Sequence, residues 1–145
     1  MTTIAGNSTC IVTDSMCTDQ DQKWAVVKVE RIGDSLYATA GGAADGERFY
    51  AWIRRNRRGK RPVVSEGFDA LALTPKGLFL FDSELYPMPL INPHAIGSGG
   101  KAARAAMAAG AGIVRAVEIV CEIDAGSALP VQIFRLNEVT HEPAQ

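Results

Sequence analysis

Apolar positions along the chain switch between strict alternation and a helical spacing of about 3.6, and the switch points divide it into strands and helices. Residues 2 to 13 mix β-branched and small side chains around Asn7-Ser8, which predicts two short strands in a tight hairpin. Trp24 to Ile32 and Ser35 to Ala40 are β-prone runs separated by Gly33-Asp34, a strong hairpin signal. Gly41-Gly42 ends the second run, and Ala44, Phe49, Trp52 and Ile53 then recur near helical spacing, predicting one helix over Ala43 to Arg55. Residues 56 to 66 form a basic connection containing Gly and Pro, after which Asp69 to Thr74 and Gly77 to Asp82 flank a Pro75-Lys76-Gly77 turn. Pro87, Pro89 and Pro93 exclude regular helix, and Ala95-Ile96 reads as extended. A helix is expected to begin at Ser98 or Gly99 and run through the alanine-rich Lys101 to Ala109. Gly110 and Gly112 interrupt it, and Ile113 to Ile123 resumes helical spacing through Val114, Val117 and Val120. Val131 to Leu136 is the expected closing strand, with a loose tail from Asn137. Strands in blocks with helices between them suit antiparallel sheets covered by helices, an α+β fold.

Composition narrows this to one ordinary globular domain over residues 1–145, since 47% of the residues are hydrophobic and 21% charged. A formal net charge of −1 supplies no overall field toward nucleic acid or anionic lipid. The apolar runs fall far short of the roughly 20 residues that a membrane-spanning helix needs, so no membrane partner is expected. The first residues lack the basic stretch and apolar core of a secretory signal, and Cys10, Cys17 and Cys121 are odd in number. Reduced thiols in the cytoplasm are the simple reading. Neither histidine lies near a cysteine pair, so no metal and no cofactor are expected.

Two local motifs need a decision. Gly97-Ser98-Gly99-Gly100-Lys101 has the flavour of a phosphate-binding loop, but Ala102 follows the lysine and no glycine stands at the required upstream place. Nucleotide binding is rejected. The cluster Arg54-Arg55-Asn56-Arg57-Arg58-Gly59-Lys60-Arg61 could contact RNA, DNA or an acidic surface. A solvated helix end whose cations complement the dipole explains it more simply, so nucleic acid is not the expected partner.

Several short stretches, taken in order, resemble the proteasome β-subunit family of N-terminal-nucleophile hydrolases. They are Thr2-Thr3-Ile4-Ala5, Val12-Thr13-Asp14, Lys28-Val29-Glu30-Arg31-Ile32, Ala40-Gly41-Gly42, Ile96-Gly97-Ser98-Gly99-Gly100, and Glu122-Ile123-Asp124 through Ser127. The likeness is to short bacterial and phage members, related to the bacterial ATP-dependent protease core that is similar to the proteasome. It implies a four-layer αββα sandwich of two antiparallel sheets, here reduced in helix content, because only one helix fits between Gly42 and Ser98.

The resemblance also implies a site. Thr2 would be an amino-terminal nucleophile once Met1, which precedes a small residue, has been removed. A threonine hydroxyl needs a base, and a free α-amino group with a pKa near about 8 can serve at neutral pH. Asp14 and Lys28 would flank the nucleophile, Ser98, Asp124 and Ser127 would complete the hydrogen bonds around the amine, and the backbone N–H of Ala38 would meet the oxyanion. From the residues alone, Asp14 could equally be a turn aspartate, Lys28 an edge-strand lysine, and Ser98 the N-cap of the following helix. In place of the paired glycines usual after Ser127, this chain has Ala128-Leu129. The implied activity is a threonine-type peptidase or amidohydrolase acting on peptides or unfolded chains, within a homo-oligomeric ring and with any ATPase partner unspecified. The alternative is a catalytically silent module that keeps the fold for assembly, as in a phage particle.

Overall fold

A computed structural model of the chain describes residues 2–19 and 21–138; the expected removal of Met1 and most of the expected loose tail, residues 139–145, lie outside the described residues. The first half runs β1 (Thr3–Gly6), β2 (Cys10–Thr13), β3 (Met16–Asp19), β4 (Gln22–Ala25), β5 (Val29–Ile32), β6 (Ser35–Ala40) and α1 (Ala43–Arg54). The second half runs β7 (Asp69–Thr74), β8 (Gly77–Phe81), β9 (Pro87–Pro89), β10 (His94–Gly97), α2 (Gly100–Ala108), α3 (Ile113–Ile123) and β11 (Gln132–Arg135). All strand pairs are antiparallel, in a four-stranded sheet of order β10-β1-β2-β11, a five-stranded sheet of order β5-β6-β7-β8-β9, and a β3-β4 ribbon.

Local chemistry makes the hairpins. Between β1 and β2 the Asn7 carboxamide oxygen accepts the Thr9 and Cys10 N–H groups at 2.8 and 2.9 Å, which closes the turn from within. Between β5 and β6, Gly33 takes a left-handed φ of 62°, the conformation that a two-residue hairpin turn demands.

Packing explains why β1 and β2 read as small and β-branched without a clear alternation. Both strands are buried at every position, because each face of the four-stranded sheet is covered. Ile4, Ile11, Ile96 and Phe134 point to the five-stranded sheet and meet Leu36, Leu71 and Leu73. Ala5, Val12 and Ala95 point the other way, onto Ala103 of α2 and Val117 and Val120 of α3. The far side of the five-stranded sheet carries α1, whose Phe49, Trp52 and Ile53 pack on Ala70, Ala72 and Phe81. The chain is thus α+β, with antiparallel sheets and, among the described residues, three helices. No described helix is long and apolar enough to cross a membrane.

Two expectations are corrected, and one strand appears that the sequence pattern did not mark. The run Trp24 to Ile32 is two strands rather than one: β4 leaves to pair with β3, and residues 26–28 bend because the Val26 N–H donates to the Ser15 carbonyl at 2.9 Å and its carbonyl accepts from Gln132 at 3.1 Å. Pro87–Pro89 forms a strand, tolerated because it lies at the sheet edge where one side needs no ladder donor. The helix after Ser98 begins at Gly100, with Gly99 as its N-cap residue and no side-chain cap, so Ser98 is not the cap.

Candidate active site

Thr2 stands at the mouth of β1, where Thr3 faces Gly97 across the ladder. The neighbouring chain passes so close that a Cβ on Gly97 would lie 2.1 Å from the Thr2 carbonyl oxygen, and Gly97 has a φ of 91°; only glycine fits there. The Thr2 carbonyl accepts from the Gly99 N–H at 3.3 Å, which fixes the end of the strand against the start of α2.

Asp14 follows β2 and is fully buried. One carboxylate oxygen accepts the Thr3 N–H at 3.1 Å and the Lys28 ammonium at 2.8 Å; the other accepts the Met16 and Ala128 N–H groups at 3.1 and 3.2 Å. A buried carboxylate survives only with such partners, since its desolvation would otherwise cost several kcal/mol. Lys28, whose side chain is also buried, lies one residue before β5 at the bend that interrupts the expected strand. Its ammonium donates to the Thr2 hydroxyl oxygen at 3.1 Å as well as to Asp14. Lys28 therefore bridges a fixed negative charge and the candidate nucleophile, and can stabilise an alkoxide developing on Thr2 Oγ1.

A second set of hydroxyls runs from the other side. The Thr2 N–H donates to Ser98 Oγ at 3.2 Å, and Ser98 donates to Asp124 at 2.9 Å. Ser127 donates to the same Asp124 oxygen at 2.6 Å and is 2.7 Å from the Thr3 hydroxyl. Burial works to raise the Asp124 pKa, but the hydrogen bonds from Ser127, Ser98 and the Gly126 N–H outweigh it and hold the carboxyl below its ordinary range. Asp124 is thus a stable acceptor at neutral pH.

The structure brings Thr2, Asp14, Lys28, Ser98, Asp124 and Ser127 into one connected network. It does not bring Ala38. That residue sits in the middle of β6, paired with Val29 on one side and Leu71 on the other, with its side chain sealed between the sheets. A central strand spends its N–H groups on the ladder, and Ala38 lines neither opening beside Thr2. Gly41, where the chain leaves the sheet with a φ of 137°, instead lines both openings beside Thr2. The Ala40-Gly41-Gly42 break was the available signal for it. Thr3 was also missed: a β-branched residue at a strand start reads as sheet-forming until its hydroxyl is seen against Ser127.

The larger opening, about 600 Å³, is walled by Trp24, Val26 and Val27 on one side and by the start of α1 on the other. A separate cavity of about 430 Å³ lies among Tyr37, Phe79 and Arg57 and does not include Thr2; the convergent acid, cation and hydroxyls place the candidate chemistry in the first. Of the three thiols, Cys17 lines the cleft beside Thr2, and the other two do not compete. Cys10 is buried, and burial, with the Asp14 charge adding to it, pushes the Cys121 thiol up to about 11, so it is protonated at neutral pH. Among the described residues, no three His, Cys, Asp or Glu side chains are grouped to share a metal ion.

No family model matches the chain, and no curated protein matches it either. Solved structures do. A structure of BPH from Thiobacillus denitrificans, and one of the same protein in complex with epoxomicin, each superpose with a TM-score of 0.66 at 22% sequence identity. Each match covers 92% of this chain and 96% of the other, so nearly the whole of both molecules shares one fold.

Proposed function

We propose that the chain is a proteasome-subunit-like hydrolase, a four-layer αββα member of the N-terminal-nucleophile class, that cleaves amide bonds in peptides or unfolded chains with Thr2. The single observation that carries this reading is the Lys28 ammonium held 3.1 Å from the Thr2 hydroxyl and 2.8 Å from the buried Asp14. An aggregation-blocking lysine would point to solvent; this one is aimed at a hydroxyl. The fold shared with an epoxomicin-binding protein agrees with the reading.

With Met1 removed, the Thr2 amine takes the hydroxyl proton while Oγ1 attacks the substrate carbonyl carbon. Lys28 stabilises the charge that develops on Oγ1. The Gly41 backbone N–H, at the lip of the cleft, meets the oxyanion in place of Ala38. The amine then returns the proton to the leaving nitrogen, leaving an ester on Thr2 that water hydrolyses with the amine again as base. Ser98, Asp124 and Ser127 hold that amine in position. Copies of the chain assemble into a ring that limits access to the cleft; the alanine positions of α2 suit close contact with a neighbour.

The test is covalent labelling by epoxomicin, read as intact mass. Wild-type protein lacking Met1 is expected to gain the mass of one inhibitor, and Thr2→Ala to gain none while keeping its fold. If protein with a verified free Thr2 gains nothing, the silent assembly-module reading replaces the enzyme.

A further inference from the structure

The wall of the Thr2 cleft opposite the β3-β4 ribbon is one stripe of α1. Ala43, Gly46, Glu47 and Tyr50 follow the i, i+3, i+4, i+7 spacing and all line the cleft. Two of the four are too small to fill it: a Cβ at Gly46 would come within 2.9 Å of the Thr39 hydroxyl on its floor. Thr39 and Tyr50 line the cleft behind this stripe, and two carboxylates, Glu30 and Glu47, stand beside it.

Charge around the cleft cancels with one exception. Lys28 is matched by Asp14, and Glu30 by Arg54 from the far end of α1. The partial positive charge at the start of α1 is met by Asp45 in its first turn, which also accepts the Ser65 N–H at 3.1 Å. Glu47 has no cation among the described residues. Its charge is nonetheless felt inside: burial pushes the Tyr50 phenol up to about 12, with the Glu30 charge and, more weakly, the Glu47 charge adding to it.

We propose that this cleft is the specificity pocket for a basic side chain, lysine or arginine, of the substrate, with Glu47 as its counter-charge. The proposal rests on the reading of Thr2 as nucleophile for setting that side chain next to the scissile bond. The long aliphatic stem of such a residue lies along Ala43 and Tyr50, and its charged head reaches the carboxylate. An acidic side chain is repelled by the same group, which gives discrimination in both directions.

Binding separates this inference from the chemistry. Blocked peptide amides ending in arginine, norleucine or glutamate are titrated into the Thr2→Ala protein, in which no turnover is expected. The arginine peptide should bind about fivefold tighter than the norleucine one, the upper end of what a single partly exposed charge pair contributes. Glu47→Gln should level the two, half-molar salt should shrink the difference, and Glu47→Lys should favour glutamate. Equal or reversed affinities with Glu47 present, a preference that survives Glu47→Gln, or no arginine-peptide binding at millimolar concentration overturns the proposal. Charge-selective binding without epoxomicin labelling of the Thr2 protein keeps the pocket and removes the nucleophile. Labelling without charge selectivity does the reverse.

Discussion

The network at Thr2, buried at Asp14 and Ser127 and exposed at Ser98, and the aromatic cluster beneath α1 are held in opposite ways. Phe49 has five aromatic rings around it, Tyr37, Tyr50, Trp52, Phe68 and Phe81, with centroids 5.2 to 6.3 Å away and tilted or edge-on orientations. That attraction is non-directional and spread over many contacts, and it tolerates an imperfection: the buried Trp52 Nε1 has no hydrogen-bond partner. The Thr2 network tolerates less. Asp14 spends both oxygens on four donors, and Ser127 stands between Asp124 and Thr3. Removing one directional partner strands another group, whereas removing one contact from the cluster only thins it. The cluster divides its stabilisation among many contacts, and the network concentrates it in a few.

Lys28→Ala should break this division most severely, because it removes both the donor to Thr2 and the cation that compensates buried Asp14. Labelling by epoxomicin should be lost, and denaturant titration should show a loss of about 3–5 kcal/mol. Adding Asp14→Asn should recover part of the stability and none of the labelling; recovery of both would mean that the pair serves the scaffold alone. Phe49→Ala should cost a similar amount, about 3–5 kcal/mol, by opening a cavity in the cluster. Folded Phe49→Ala protein should still label, and a folded but unlabelled variant would show that the two regions are coupled.

The smallest effect is at Asp124. Its carboxyl lies below its ordinary range when folded, so the stability it contributes is fully present above the unfolded value, about 3.9, and is lost as pH falls through the lower folded value. Asp124→Asn should flatten that acid limb of the stability curve by under about 1 kcal/mol, since the group is partly exposed. Unchanged acid sensitivity would locate the acid response in other carboxylates.

What the sequence determined by itself was short-range. Asn7, Gly33 and Pro75-Lys76-Gly77 mark turns whose chemistry is complete within a few residues, and the Phe49, Trp52 and Ile53 spacing marks a helix face, so these elements were legible. The resemblance carried by the ordered stretches from Thr2 to Ser127 also implied six residues that meet in the hydrogen-bond network at Thr2. What only the tertiary structure decided were the choices made between distant segments. Val26 turns out of its strand because Ser15 and Gln132 take its backbone groups, and that bend is what aims Lys28 at Thr2. Ser98 serves Asp124 and Thr2 instead of the helix that follows it, and Gly41 reaches the cleft where Ala38 does not. Local preferences of a fraction of a kcal/mol leave such alternatives open, and the burial of charges and ladder donors, at several kcal/mol each, selects among them only once the chain has closed.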